Sequence, residues 1–377
     1  EQMPYDNVTD KHFDSGDYPE LLRRAVDAID LESVRDRQKK GETDGRLIGL
    51  GISVFSEQTA HGTTADGKRR AMHEQAFARL TPDGRLDIRV GIQSIGQGLE
   101  TTLAQVAAER LGIDLPDIYV RLGDTEFSPY SSGAWGSRGM VWAGGAVARA
   151  CDDIAARLAR IGAALLQTDI ESVEVRDGGV YGPDGSITIG DIAKAYYLSP
   201  SDLPGDTDSR GLETTEGYAP DCLTGIHTGS VHATVVAVDP TTGGVELLDY
   251  VIAEDAGTLV NPMIVDGQLR GGAAQGIGSA LYEEMPYDSD GQPLAATLAE
   301  YLLPGATDVP NIRLLHMETP TPYTNFGQKG VGEGGAIGPA GAIANAINDA
   351  LAPLGVEICR IPISPRRIIE AIESQRK

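Results

Sequence analysis

Apolar residues recur along the chain with the periods of strands and of helices. Leu86, Ile88 and Val90 alternate with polar neighbours, which predicts a strand over 85–92 with one buried face. Apolar stretches predict two further strands, over 47–55 and 118–122. Apolar residues spaced three and four apart predict helices over 17–30, 101–111, 146–166, 266–284, 340–351 and 365–374.

The second half of the chain contains a predicted β-hairpin and an unusual helix. Alternating apolar residues over 231–237 and 245–252 flank the turn sequence DPTTGG. The helix predicted over 266–284 contains four glycines, and each costs about 1 kcal/mol relative to alanine inside a helix. We therefore expect another element to pack against the backbone of this helix.

Composition shifts along the chain predict how it is organised. Residues 1–45 form a helical connector, in which the charged stretch beginning at Glu32 (ESVRDRQKKGETDGR) is expected to be solvated. A segment rich in Pro, Gly, Asp and Ser, residues 198–221, is expected to be a loop between two lobes. The segments on either side of this loop, 46–197 and 222–377, are expected to form the two lobes. We predict an α+β fold with two lobes of mixed β-sheet and flanking helices.

Charge and cysteine content narrow the class of protein. The 31 basic residues against 55 acidic ones leave a formal net charge of −24, which disfavours a nucleic-acid partner. Three scattered cysteines favour a reducing cytoplasm, and they are fewer than the four thiolates an iron–sulfur cluster takes. We find neither a run of about 18 apolar residues nor a signal-peptide pattern, so no membrane span is expected.

Common catalytic motifs do not explain the chain. The six histidines stand at no convincing metal-ligand spacing, and no HExxH, GxSxG or Walker A pattern occurs. The sequence GVGEGG, residues 330–335, satisfies the G-x-G-x-x-G pattern of dinucleotide-binding domains. Because no apolar strand precedes it, we reject that interpretation.

Two glycine-flanked loops stand immediately before predicted helices. Gly96–Gly98 places the Gln97 amide at a helix N-terminus, which suits an anionic or carbonyl-rich ligand. The loop 123–139 offers the hydroxyl of Ser137 and the guanidinium of Arg138, donors suited to phosphate. Taken singly, Gln97 could cap its helix and Ser137 could stabilise a turn.

Two further groups add to this pattern. Gln268 and Gln275 are seven residues apart and share one face of the glycine-rich helix. Glu333 is the carboxylate of the GVGEGG loop, where it could instead complement the helix dipole. Four such features together favour a shared anionic ligand.

The order of these motifs resembles a known family. GQGLETTLAQVAAERLGI, GDTEFSPYSSGAWGSRGMVWAGGAVARAC, EDAGTLVNPMIVDGQLRGGAAQGIGSALYEE and GQKGVGEGGAIGPAGAIANAINDAL occur in this order. The series resembles the C-terminal half of the molybdenum-binding large subunit of the xanthine dehydrogenase and aldehyde oxidoreductase family, its second molybdopterin-binding domain. The resemblance implies a split large subunit, as in some nicotinate dehydrogenases of the family, or a fragment.

The resemblance also implies roles for individual residues. Glu333 matches the catalytic glutamate, and Gln97 matches a glutamine near the ligands of the molybdenum. The metal itself is expected to be held through the pterin, with no direct protein ligand. The other expected contacts to the cofactor, molybdopterin cytosine dinucleotide, are Gly96, Gly98, Gly136, Ser137, Arg138, Gln268, Gln275 and Gly332.

The implied activity is oxidative hydroxylation of an N-heteroaromatic or aldehyde carbon, with water as the oxygen source. The expected partners are the N-terminal half of the large subunit, a [2Fe-2S] subunit and an FAD subunit, which would take up the electrons. Three alternatives stay open. The chain could hold the cofactor without catalytic residues of its own, it could be a non-enzymatic scaffold, or it could belong to a carbon monoxide dehydrogenase-type large subunit.

Overall fold

The computed structural model describes residues 3–61, 74–203, 211–220, 222 and 224–375 of the 377-residue chain. The helices are α1 (Tyr18–Ile29), α2 (Leu31–Lys40), α3 (Leu99–Leu111), α4 (Gly139–Leu165), α5 (Ile189–Leu198), α6 (Pro262–Leu281), α7 (Gly334–Leu351) and α8 (Pro365–Gln375). The strands are β1 (Tyr5–Asp6), β2 (His12–Phe13), β3 (Leu47–Thr59), β4 (Glu74–Leu80), β5 (Leu86–Val90), β6 (Ile118–Leu122), β7 (Glu174–Arg176), β8 (Gly179–Gly182), β9 (Gly185–Thr188), β10 (Glu213–Tyr218), β11 (Ile226–Val238), β12 (Val245–Asp255) and β13 (Ile312–Met317).

One four-stranded sheet has the order β10-β4-β5-β6. Its pairs are antiparallel except β5 with β6, which is parallel. Alternate residues of β4 are buried, as expected for a sheet with one covered face. Helix α4 covers that face, with Ile154 and Leu158 packed in one core with Leu86 and Ile88.

A second four-stranded sheet has the order β13-β12-β11-β3. Helix α7 packs on β3 and β11, α6 packs against α7, and α1 packs against β11 and β12. Strand β11 is one of the two inner strands, and both α7 and α1 pack against it. All 13 of its residues are buried, His227 and His232 among them. Two smaller sheets, β1-β2 and β7-β8-β9, complete the described topology.

Glycines in β3 let α7 approach the sheet closely. A Cβ atom at Gly49 would lie 1.9 Å from the Ala346 carbonyl oxygen, and one at Gly51 would lie 2.0 Å from that of Ala342. Real Cβ atoms cannot come so near, so these positions require glycine. The contact sets the position of α7 and of the residues at its N-terminus.

The α+β architecture with mixed sheets is confirmed. The hairpin forms as predicted, with β11 antiparallel to β12. Backbone packing against the glycine-rich helix is also confirmed, because a Cβ at Gly272 would lie 2.8 Å from the Ala336 nitrogen. Among the helices that the structure describes, none is long and apolar enough to cross a membrane.

Three helices show most clearly where the structure differs from the prediction, and α6 is also shifted, to Pro262–Leu281 from the predicted 266–284. Helix α2 occupies most of the stretch expected to be a solvated connector, because Asp30 accepts a hydrogen bond from Ser33 N and Val34 is buried. Helix α4 begins at Gly139 rather than at 146. The helix continues through Gly145, where the Tyr218 ring packs so close to the backbone that a Cβ atom would not fit. Helix α7 begins at Gly334 rather than at 340, and it contains Pro339.

Strand pairing crosses the expected lobe boundaries. Strand β3 lies in the expected first lobe but pairs with β11 of the second. Strand β10 lies within the expected loop 198–221 and pairs with β4. The division of the chain into lobes therefore stays a prediction, while the sheets interleave segments from both halves.

Candidate active site

Four helices begin at the wall of one pocket. The pocket has a volume of about 270 Å³ and is lined by the residues that immediately precede α4, α6 and α7, namely Arg138, Asn261 and Glu333. Gln97 and Leu99 bring the start of α3 to the same wall. Each helix N-terminus carries a partial positive charge and free N–H groups, so their convergence favours an anionic ligand.

The pocket brings together most of the residues singled out from the sequence. Two of the others, Gly96 and Gly98, flank Gln97 without lining the pocket, and both have positive φ angles (98° and 71°). Gln275 is exposed on α6 and lies outside the pocket, so its expected pterin contact stays a prediction. The predicted residues that line it are Gln97, Gly136, Ser137, Arg138, Gln268, Gly332 and Glu333.

The Gln97 side chain bonds to its own loop. Its Oε1 accepts from the Ile95 backbone N–H at 2.6 Å, and its Nε2 donates to the Gln93 carbonyl at 3.3 Å. These two bonds hold the amide against the loop that precedes α3. An amide restrained in this way presents a defined polar surface to a ligand in the pocket.

Arg138 is buried rather than solvated. It is 1% exposed, and its Nη1 donates to Glu74 Oε2 at 3.0 Å and to the Gly133 carbonyl at 2.7 Å. The guanidinium carbon also lies 5.0 Å from the centre of the Trp142 ring. Burial is the largest influence on both charged groups, and it lowers the pKa of Arg138 and raises that of Glu74.

Two nitrogens of Arg138 have no protein partner within the part of the chain that the structure describes. Nε and Nη2 are both buried without a hydrogen bond. A buried donor left unpaired is costly, so such atoms indicate a ligand that supplies the acceptor. This observation fits an anionic cofactor next to the N-terminus of α4.

Ser137 contacts carboxylates rather than open space. Its Oγ lies 2.7 Å from Glu57 Oε1 and 3.1 Å from Glu333 Oε2, and it accepts from the Glu333 backbone N–H at 3.1 Å. The loops of Ser137 and Glu333 meet closely, because a Cβ at Gly330 would lie 2.3 Å from the Ser137 carbonyl oxygen. A phosphate at this hydroxyl would compete with two carboxyl groups already in contact with Oγ, so this geometry favours Ser137 as a partner of Glu333.

Two buried carboxyl groups near Glu333 were missed by the sequence analysis. The pKa of Glu57 in β3 is raised to about 7, chiefly by burial and also by the nearby Glu333, while the hydrogen bond with Ser137 lowers it. Burial raises the pKa of Glu254 in β12 to about 8. Glu254 lies directly below α7, since a Cβ at Gly334 would be 2.9 Å from its Oε1.

A sequence signal existed for some of the missed residues. Glu254 directly follows the apolar run YVIA of β12, and Glu74 occupies a buried position in the alternation of β4. A charged residue at such a position is rarely buried without a reason. Glu57 gave no such signal, because β3 alternates irregularly near its end.

Comparison with known proteins identifies the family to which this chain belongs. The molybdopterin cofactor-binding domain family matches residues 24–310. The large subunit of nicotine 6-hydroxylase from Paenarthrobacter nicotinovorans is 35% identical over 376 residues, which is 98% of this chain and 46% of that protein. The chain belongs to the molybdopterin cofactor-binding domain family. The carbon monoxide dehydrogenase large chain of Hydrogenophaga pseudoflava is 34% identical, over 99% of this chain and 47% of that protein.

Solved structures of this family have the same fold. Quinoline 2-oxidoreductase from Pseudomonas putida 86 superposes with a TM-score of 0.91 at 36% identity, covering 98% of this chain and 48% of that one. A Cu,Mo-containing CO dehydrogenase gives a TM-score of 0.90 at 31% identity over 99% of this chain and 48% of that one. The chain therefore spans about half the length of the molybdenum hydroxylases it matches.

The described residues contain no group of three or more His, Cys, Asp or Glu side chains arranged to hold a metal ion. The donors around the pocket are instead amides, helix N-termini and the unpaired nitrogens of Arg138. This donor set fits the anionic organic part of a molybdopterin cofactor, which carries its own metal ligands.

Proposed function

We propose that this chain carries the cofactor pocket and the catalytic base of a molybdenum hydroxylase. The observation that carries the proposal is the position of Glu333 at the N-terminus of α7, on the wall of a pocket where four helices begin. A carboxylate on that wall can accept a proton from a group bound in the pocket. The alternatives of a cofactor-holding chain without its own base, or of a scaffold, are disfavoured by this placement.

The proposed cofactor is molybdopterin cytosine dinucleotide. When bound, it would supply the two-electron redox chemistry and the metal. The helix N-termini and Arg138 would bind its phosphates, and the restrained Gln97 amide would lie near the ligands of the metal. Gln268 and Gly332 line the same pocket and are proposed to contact the pterin.

The proposed reaction is oxidative hydroxylation of a ring carbon next to nitrogen, with water as the oxygen source. Two of the relatives reported above are named for N-heterocyclic compounds, nicotine and quinoline. Aldehydes are a second proposed substrate class. Relatives named carbon monoxide dehydrogenase, at 34% and 33% identity, support carbon monoxide as a third candidate.

The proposed assembly is heteromeric. Its members are the other half of a large subunit, a [2Fe-2S] subunit that accepts the electrons, and an FAD subunit. We infer a cytoplasmic location from the three scattered cysteines. Purified native complex should therefore contain iron as well as molybdenum, which metal analysis would measure. A chain that contains molybdenum, lacks iron and still oxidises substrate would contradict this assembly.

Substitution of Glu333 tests the proposed base. In the assembled complex, Glu333→Gln should leave the molybdenum content unchanged and lower kcat by about 10²–10⁴-fold, because the amide cannot accept the proton. Glu373→Gln, an exposed change on α8, is the matched control. A Glu333→Gln complex with normal turnover per bound molybdenum would reject Glu333 as the base.

Substrate assays separate the three candidate classes. The complex is incubated with an N-heteroaromatic compound, an aldehyde or carbon monoxide, together with an artificial electron acceptor, in water labelled with ¹⁸O. Label in a hydroxylated heterocycle is the expected result. Turnover with carbon monoxide alone would instead place the chain with the carbon monoxide dehydrogenases.

A further inference from the structure

The Ser137 hydroxyl joins two carboxyl groups that are distant in the sequence. Glu57 is 80 residues before Ser137, and Glu333 is 196 residues after it. The Oγ atom is within hydrogen-bond distance of one oxygen from each, and of the Glu333 backbone nitrogen. Ser137 has a positive φ of 50°, a conformation that few non-glycine residues adopt. This hydroxyl is therefore placed at a strained point of the cofactor loop.

Hydrogen-bond counting limits how the protons can be arranged. A serine hydroxyl donates once and accepts twice, and an ionised carboxylate only accepts. Since the Glu333 N–H already uses one acceptor site of Oγ, a carboxylic acid at Glu57 can donate to the other. The hydroxyl proton is then free to bind Glu333 Oε2. If both carboxyl groups were ionised, the single proton of the Ser137 hydroxyl could bond to only one of them. The other carboxylate would then face the Oγ atom without a hydrogen bond.

Burial decides which of the two acids holds the proton. Glu57 Oε2 is buried and has no partner among the described residues, whereas Glu333 is exposed at the pocket wall. The neutral acid is therefore favoured at Glu57 and the ionised form at Glu333. Within the described part of the chain, the charged groups that act on Glu57 are Glu333 at the start of α7 and Glu254 in β12, and Glu254 is in turn next to Asp255 and Lys329.

We propose that Glu57 is a positioning residue, which keeps its proton, donates a hydrogen bond to Ser137 Oγ, and so aligns the Ser137 hydroxyl with the Glu333 carboxylate. This inference rests on the proposed function of Glu333 as the base. When Glu57 ionises, the Ser137 proton turns to the nearer oxygen, that of Glu57, and Glu333 loses its donor. Because the pKa of Glu57 is raised to about 7, this change is expected near neutral pH.

The first arm of the test follows kcat per bound molybdenum against pH in the assembled complex. The wild type should lose activity above about pH 7 as Glu57 ionises. Glu57→Gln keeps a donor at every pH, so its ratio of kcat at about pH 8.5 to kcat at about pH 6 should rise at least threefold over the wild type. An unchanged pH profile in Glu57→Gln would overturn the proposal.

The second arm removes the hydroxyl itself. Ser137→Gly suits the positive φ and deletes only the bridge, so kcat should fall by about 10–100-fold while KM changes little. A fall in KM and kcat together, or no change in kcat, would contradict a positioning role. Glu373→Gln is again the control.

A third readout does not depend on activity. With isotope-labelled glutamate, the infrared carbonyl intensity of carboxylic acids should lose one component as the pH is raised through about 7, before the component of Glu254 is lost near pH 8, and only the first component should be missing from Glu57→Gln. The results also distinguish failure of this proposal from failure of the proposed function. Normal turnover in Glu333→Gln rejects the base, whereas inactive Glu333→Gln with unchanged Glu57→Gln and Ser137→Gly variants rejects this proposal alone.

Discussion

Two buried groups with opposite titration behaviour lie beneath the N-terminal part of α7. Burial raises the pKa of Glu254 to about 8, and it lowers that of His232 to about 3. His232 is packed against the backbone of Gly338, and Glu254 against that of Gly334. Both groups are therefore neutral in the folded chain near pH 7, and each links stability to pH with its own sign.

The free energy of unfolding is expected to fall between pH 7 and pH 8. The folded chain keeps the proton of Glu254 up to about pH 8, while an unfolded chain releases it near the ordinary value of 4.5. His232 adds little slope there, because unfolded histidine is mostly neutral above about pH 7. Glu57, whose pKa is about 7, adds a smaller loss of the same sign as that of Glu254. Urea unfolding should show a loss of about 1 kcal/mol over this unit of pH.

Glu254→Gln should remove most of that slope, because the amide has no proton to lose. The exposed variant Glu373→Gln should retain it. Equal slopes in wild type and Glu254→Gln would show that Glu254 is ionised in the folded chain at pH 7.

The buried ion pair of Arg138 and Glu74 gives a second prediction. Removing one partner leaves a buried charge, so Arg138→Met and Glu74→Gln should each lower the free energy of unfolding by about 3–5 kcal/mol. The double variant should recover a large part of that loss. Denaturant unfolding of the four proteins measures the coupling, and additive losses would contradict a direct pair.

Local motifs allowed part of the site to be predicted from the sequence. Gln97 and Glu333 stand between glycines at the starts of helices, and that pattern is visible within a few residues. The burial of Arg138 was not predicted, because its partner Glu74 is 64 residues away. Glu57 was missed for the same reason, since only folding brings β3 beside the other two loops.

At the scale of elements, α6 and α7 meet through glycine. A Cβ at Gly272 would approach the Ala336 nitrogen to 2.8 Å, and one at Gly276 would approach Pro339 Cγ to 2.6 Å. The neighbouring Gly271 has nothing within 4 Å of its Cβ position. These adjacent glycines therefore provide a matched pair within one helix.

Gly272→Ala should destabilise the chain by about 1–3 kcal/mol, because the backbone of α7 cannot move away without disturbing its contact with β3. Gly271→Ala should stabilise it by about 0.5–1 kcal/mol, because the methyl group meets no atom and alanine favours the helix. Thermal and urea unfolding of both variants measure the difference. Similar effects of the two substitutions would reject close packing of α6 on α7.

Element types were predictable where periodicity was strong, and element ends were not. Strand β6 and helix α3 follow their apolar patterns closely. Helix α7 begins before Pro339 because its first turn is stabilised by tertiary contacts with α6, which a local pattern does not contain. Helix α2 has only one buried residue, Val34, so its apolar period was too weak to detect.

At the scale of the whole molecule, the two large sheets are assembled from distant segments. Strand β3 pairs with β11 although Leu47 and Val238 are almost two hundred residues apart in the chain. Patterning of the chain predicted the mixed α+β class, but it could not predict that pairing, because apolar alternation does not specify a partner strand. The pocket exists only after this pairing, which brings Glu57 to Ser137 and Glu333.

One surface of the molecule is unusually apolar. The segment 285–303 exposes six large apolar side chains, and Leu298 is 77% exposed. Met263, beside the pocket at the start of α6, is also 77% exposed. Large apolar side chains exposed together in one segment are typical of an interface. The six side chains of the segment are Met285, Tyr287, Leu294, Leu298, Leu302 and Leu303.

We predict that this surface binds the other half of the large subunit. Burying one leucine is worth about 1.5–3 kcal/mol, so Leu298→Glu or Leu302→Glu should weaken the association at least tenfold. Val8→Glu, at a side chain that is 99% exposed outside this segment, should not. Native mass and the molybdenum content of the co-expressed complex measure the outcome. Leu298→Glu and Leu302→Glu complexes that assemble and retain molybdenum like the wild type would place the interface elsewhere on the chain.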